Sequence, residues 1–226
     1  MANNHKEEVH TSIDDINDQL TGIGQTVQKN SSAIMWTCIV LAAIVVAVLV
    51  YIYAIRQPGI QKANEAIGQA DLTAVMGNDS LALQQYQAVA NDYGYDAGNR
   101  AALNAAIILY QQGKYQEALD YVQRYDTKEA VVGAAAYSLE GDCYVNLQDY
   151  EKALACFQKA VKQSDNNPYY TPTFLLKEAN VYRELKNYKA EADCYRQIIN
   201  EYPQYAGTVR MDMEKYLRRA ELQAAE

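Results

Sequence analysis

The sequence predicts an all-α chain, an N-terminal transmembrane helix followed by a solenoid of helical hairpins. Three observations carry this expectation. Residues 33–55 form an uncharged apolar run, small and large apolar residues recur in a 34-residue frame from about residue 63, and the composition favours helix. The chain has 20 Tyr against 2 Phe and 1 Trp, with only 4 Pro in 226 residues. Such a balance suits long helices whose seams are filled by amphipathic rings. Acidic residues outnumber basic ones by 28 to 20 and no basic run exceeds Arg218-Arg219, so the footprint of a nucleic-acid binder is missing.

The first element is the apolar run Ala33–Ile55. As a helix its 23 residues extend about 34 Å, enough to cross a hydrocarbon core of about 30 Å. Trp36 near one end and Tyr51 and Tyr53 near the other sit where aromatic rings settle at membrane interfaces. Arg56 and Pro58-Gly59 mark its end, and 56–62 is expected as a linker. A polar leader with five acids but only Lys6 and Lys29 precedes the run, and no small-x-small site follows it, so the segment reads as a retained anchor. The leader, 1–32, is a polar tail in which Val9, Ile13, Ile16, Leu20, Ile23 and Val27 have the spacing of a weakly amphipathic helix. Lys6 and Lys29 before the run are matched by Arg56 and Lys62 after it, so charge alone does not orient the span.

Beyond the linker, the clearest recurrence starts at Ala134, where Tyr137, Gly141, Tyr144, Tyr150, Ala153, Phe157 and Ala160 occupy positions 4, 8, 11, 17, 20, 24 and 27 of one 34-residue frame. This is the pattern of the tetratricopeptide repeat (TPR), in which small residues at 8 and 20 let two antiparallel helices approach while larger ones fill the seams. The frame recurs from Pro172 with Leu175, Ala179, Tyr182, Leu185, Tyr188, Tyr195 and Ile198, but Glu191 stands at position 20. An off-standard helix packing is expected there. From Asn99, Ala102, Ala106, Leu109, Tyr115, Ala118 and Val122 follow the frame, with a second helix that looks short. A weaker unit starts at Ala63, with Ala66, Ala70, Ala82, Tyr86 and Val89 in register and Gly77-Asn78-Asp79-Ser80 as turn and N-cap. The expected array therefore covers 63–207, as units 63–94, 99–128, 134–167 and 172–205, closed by a polar-faced capping helix within 208–226.

Catalytic chemistry finds no footing in this pattern. The only histidines, His5 and His10, precede the anchor, and neither a phosphate-binding glycine motif nor a Cys-x-x-Cys pair occurs. Neither metal nor cofactor is expected, and no small-molecule substrate. Cys143, Cys156 and Cys194 read as small core residues, although spacing leaves a Cys143–Cys156 disulfide open. The remaining surface is the concave face of the array, formed by first-helix positions 2, 5, 6, 9, 12 and 13. Those positions select Arg100, Leu103, Asn104, Ile107 and Tyr110, then Ser138, Asp142, Val145 and Asn146, then Leu176, Lys177, Asn180 and Arg183. The mixture is apolar with a few polar anchors and lacks the basic clamp that holds a C-terminal carboxylate in co-chaperone repeats. Extended or partly folded polypeptide is the expected ligand.

Short stretches add a resemblance. Val27-Gln28-Lys29-Asn30 before the span, Tyr53-Ala54-Ile55-Arg56-Gln57-Pro58 after it, Gly77-Asn78-Asp79-Ser80, and Asn91-Asp92-Tyr93-Gly94 with Ala97-Gly98-Asn99 resemble single-span envelope TPR proteins of the Bacteroidetes type. These are akin to the YfgM-like ancillary subunits of the bacterial Sec translocon, and the likeness covers roughly residues 25–205. It implies an inner-membrane protein with a cytoplasmic N-terminus and periplasmic repeats. Its implied role is as a chaperone or adaptor for translocon components, envelope proteins or unfolded clients. The alternative is an assembly factor that joins a stable membrane complex without handling clients.

Overall fold

The computed structural model describes residues 31–225, in two compact units divided between Pro58 and Gly59. The expected amphipathic stretch of the tail and both histidines lie outside the described residues. In the first unit, helix α1 (Ser31–Val50) has every side chain exposed, Trp36, Leu41 and Val46 among them. This helix is long enough and apolar enough to span a membrane.

The helix does not stop at the proline. Tyr51–Arg56 forms a π-helical turn in which the N–H of Gln57 bonds to the carbonyl of Ile52, five residues back, and α2 (Gln57–Val75) follows. A proline ring presses on the carbonyl four residues earlier, here Ala54, and the wider π turn relieves that crowding. Residues 57–62, expected within a linker, are therefore helical.

The second unit is a stack of helical hairpins. Helices α2 and α3 (Asp79–Asp92) form the first, α4 (Asp96–Gln111) and α5 (Tyr115–Val122) the second. The third pairs α6 (Ala130–Asn146) with α7 (Tyr150–Gln163), and the fourth α8 (Tyr170–Glu184) with α9 (Tyr188–Glu201). Position 8 of the frame is buried in all four, as Ala70, Ala106, Gly141 and Ala179, and so is position 20, as Ala82, Ala118, Ala153 and Glu191. Each small residue marks where paired helices come closest. At Gly141 a methyl group would sit 2.6 Å from the Phe157 ring, so only glycine fits opposite that ring as it is placed.

The turn inside each hairpin is the same object built four times. Frame position 15 is left-handed in every one, as Gly77, Gly113, Gln148 and Lys186. The next residue sends its N–H back to the carbonyl of Thr73, Leu109, Tyr144 and Tyr182 respectively, closing a Schellman turn. That same residue then caps the second helix. The side chains of Asn78, Asp149 and Asn187 accept from the N–H three residues on, while Lys114 occupies the position without capping.

The second hairpin has the short second helix expected from its pattern, eight residues against fourteen in α3, α7 and α9. Side chains make up for the missing turns. Arg124 donates to the Ala90 carbonyl at 2.6 Å and to Asn91 Oδ1 at 2.9 Å, and Asn99 Oδ1 accepts from the Asp126 N–H at 2.6 Å.

The C-terminal helix is broken where a single helix from residue 208 was expected. Tyr205–Val209 is a short helix, α10, ended by Arg210 in the left-handed region, and α11 (Met213–Ala224) restarts on the Asp212 cap. Helix α11 packs on α9 through stacked Tyr195 and Tyr216 rings, 5.8 Å apart. Here Glu191 finds its reason. It is fully buried, and Arg219 of α11 donates to its carboxylate. The carboxylate at position 20 is thus mated to the capping helix.

The Cys143, Cys156 and Cys194 thiols are free and buried, each raised to about 12, by burial first and nearby carboxylates next. All three fill the core, Cys143 and Cys156 without a disulfide.

Candidate functional site

Position 9 of the frame falls on the first helix of each hairpin, as Asp71, Ile107, Asp142 and Asn180. At the first hairpin, Asp71 gathers a polar cluster. Its Oδ1 accepts from the Tyr86 hydroxyl at 2.7 Å and the Asn104 amide at 3.5 Å, and its Oδ2 pairs with Arg100 at 3.0 Å. Burial, then the bond to Asp71, pushes Tyr86 up to about 12, so this hydroxyl remains a donor. Arg100 and Asn104 were expected on the concave face. Asp71 and Tyr86 were not, although the register that selects Ile107, Asp142 and Asn180 also selects Asp71.

Farther along, Ile107 is exposed, while Leu103 and Tyr110 are half-buried and share the first core cluster. The Asn146 amide lies 3.4 Å from the Tyr110 hydroxyl, bridging the second and third hairpins. Between the third and fourth, Lys177 reaches back to donate to Ser138 Oγ at 2.8 Å and to pair with Asp142, and its ammonium lies 5.6 Å from the centre of the Phe157 ring. Burial raises the Asp142 carboxyl while Lys177 opposes the shift. Leu176 packs into the C-terminal core cluster rather than standing free on the groove.

Five of the expected residues, Asp142, Val145, Lys177, Asn180 and Arg183, surround one cavity of about 520 Å³. Tyr150, Phe157, Val181 and Glu184 complete its lining. Tyr150 and Phe157 hold seam positions 17 and 24, which the repeat pattern assigns to the core. They line the cavity because it lies between consecutive hairpins. Val145 and Tyr150 are half-buried there, and the buried Phe157 and Val181 form its apolar floor beneath amide and charged groups. Among the described residues no group of three or more His, Cys, Asp or Glu is placed to hold a metal ion.

Comparison with known proteins agrees with this architecture. Tetratricopeptide repeat models match residues 67–138, 134–167 and 174–205. Among solved structures, two crystal structures of MamA superpose with TM-scores of 0.53 at 17% and 16% identity. The alignments cover 69% and 71% of this chain and 94% and 91% of those chains. No curated protein sequence matches the chain.

Proposed function

Since the chain is a tetratricopeptide-repeat protein, we propose that it works as a membrane-anchored scaffold whose groove binds other polypeptides. The observation that carries this reading is the cavity between the third and fourth hairpins, where five register-selected side chains meet over an apolar floor. A helical solenoid presents such a surface without chemistry of its own, and its ligand is another protein. The apolar helix α1 supplies the anchor. Tethering raises the local concentration of groove and ligand, so individually weak contacts suffice.

In the finer form of this proposal the repeats lie in the periplasm, behind a cytoplasmic N-terminus. They act as a chaperone or adaptor near the protein translocation machinery, meeting translocon or envelope components and unfolded clients. That form is supported by the likeness of 25–205 to single-span envelope proteins. Photocrosslinking probes placed at Tyr110 and Asn180 in cells, with crosslinked partners identified by mass spectrometry, test it. Several heterogeneous clients are expected from both positions. Crosslinks from the anchor helix alone, with none from the groove, would sink the proposal.

A further inference from the structure

We propose that the groove selects uncharged, apolar segments in extended conformation and discriminates against charged ones. This deepens the reading of the groove as a polypeptide site and rests on it. Every ionised side chain on the candidate face has a counter-charge within the chain: Arg100 on Asp71 at 3.0 Å, Lys177 on Asp142, and Arg183 against Glu184 at 3.6 Å.

The Lys177–Asp142 pair is the decisive one, because it stands at the rim of the cavity. Its side chains are only 32% and 25% exposed, and Lys177 is further held by Ser138 and the Phe157 ring. A ligand carboxylate that drew Lys177 away would strand Asp142 in a poorly solvated place, and a ligand cation that took Asp142 would strand Lys177. Either exchange breaks a pair to form a pair, so charge on the ligand gains little and loses its own hydration. Apolar groups face no such exchange. The half-buried Val145 and Tyr150 at the cavity, and the exposed Ile107 on the neighbouring hairpin, offer apolar surface whose burial is favourable whatever the salt. The carboxamide of Asn180 at the cavity presents one donor and one acceptor edge, which suits a neutral chain.

Fluorescence anisotropy on the full-length chain in lipid nanodiscs, with empty nanodiscs as control, tests the proposal. The probes are labelled, end-capped decapeptides of Leu, Val, Tyr, Ser and Asn, with matched versions carrying two Asp and a free C-terminal carboxylate, or two Lys. The neutral peptide is expected to bind with an affinity that changes less than about twofold between roughly 0.05 and 0.5 M salt, a range over which exposed charge pairs are screened. Both charged versions should bind at least about tenfold more weakly, the cost of a desolvated charge. Placing a carboxylate at the cavity with Val145→Asp should weaken the neutral peptide by about tenfold on the same ground, with the thermal unfolding curve checked to show an intact fold. A charged peptide that binds more tightly than the neutral one, and loosens severalfold with salt, would overturn the selectivity while leaving the groove as a polypeptide site. Binding of none of the three would overturn the groove reading itself.

Discussion

Two carboxylates in the fourth hairpin, Glu178 and Glu191, are both buried, and only Glu191 is paired with a cation. Removing that cation by Arg219→Ala leaves a charge in the core, and we expect a loss of about 3 kcal/mol in denaturant unfolding. The double change Glu191→Ala with Arg219→Leu restores a small residue at position 20 and should cost less than Arg219→Ala alone. Glu178 has no such partner, and burial raises it from 4.5 to about 7. Folded Glu178 holds its proton at pH values where the unfolded residue has released it, so its contribution to stability falls as pH rises from 4.5 to about 7 and is level above. Relative to Glu178→Gln, the natural chain should lose on the order of 3 kcal/mol across that window, read from unfolding free energies at pH 4.5, 6 and 8. A difference between the two proteins that stays constant with pH would contradict the assignment. The sequence exposed Glu191 as a departure from pattern. It could not supply the reason, because Arg219 lies 28 residues away in a helix whose docking no local periodicity encodes.

Among the elements, the hairpin turns show what recurs and what drifts. Position 15 needs a left-handed residue each time, and only Gly77 and Gly113 occupy it without the steric cost that Gln148 and Lys186 bear. Gln148→Gly and Lys186→Gly should each stabilise the fold by roughly 0.5–1 kcal/mol. Lys114→Asn should add about the same by supplying the cap that the other three turns possess. Thermal unfolding of the three single variants checks this, and a lowered midpoint for Lys114→Asn would mean that the lysine serves α5 in another way. The helices and their pairing were readable because small residues at positions 8 and 20 survive in nearly every unit. The helical character of 57–62 was not readable, since Pro58-Gly59 carries the local signature of a break and only the π turn before it lets the helix pass. The break at Arg210 escaped for the opposite reason: Val209 and Met213 keep helical spacing across it.

For the whole molecule, the repeat register named five of the nine residues that line the cavity between the third and fourth hairpins. It missed Asp71, because the first unit has the weakest pattern, and it missed the lining contributed by Phe157, because one side chain serves both seam and cavity. Orientation across a membrane is the property the fold encodes least, with equal basic flanks. Protease added to intact spheroplasts should digest the repeats of a periplasmic domain, and protection until the membrane is ruptured would reverse the assignment. The free thiols of Cys143, Cys156 and Cys194 have a use at this scale. They are sequestered in the third and fourth hairpins and almost wholly protonated near neutrality, so an alkylating reagent meets reactive thiolate there only when those hairpins open. The chain thus carries its own clock for opening. Pulsed labelling of these three positions, with and without a bound partner, would time how often this end of the solenoid comes apart and whether a ligand slows it.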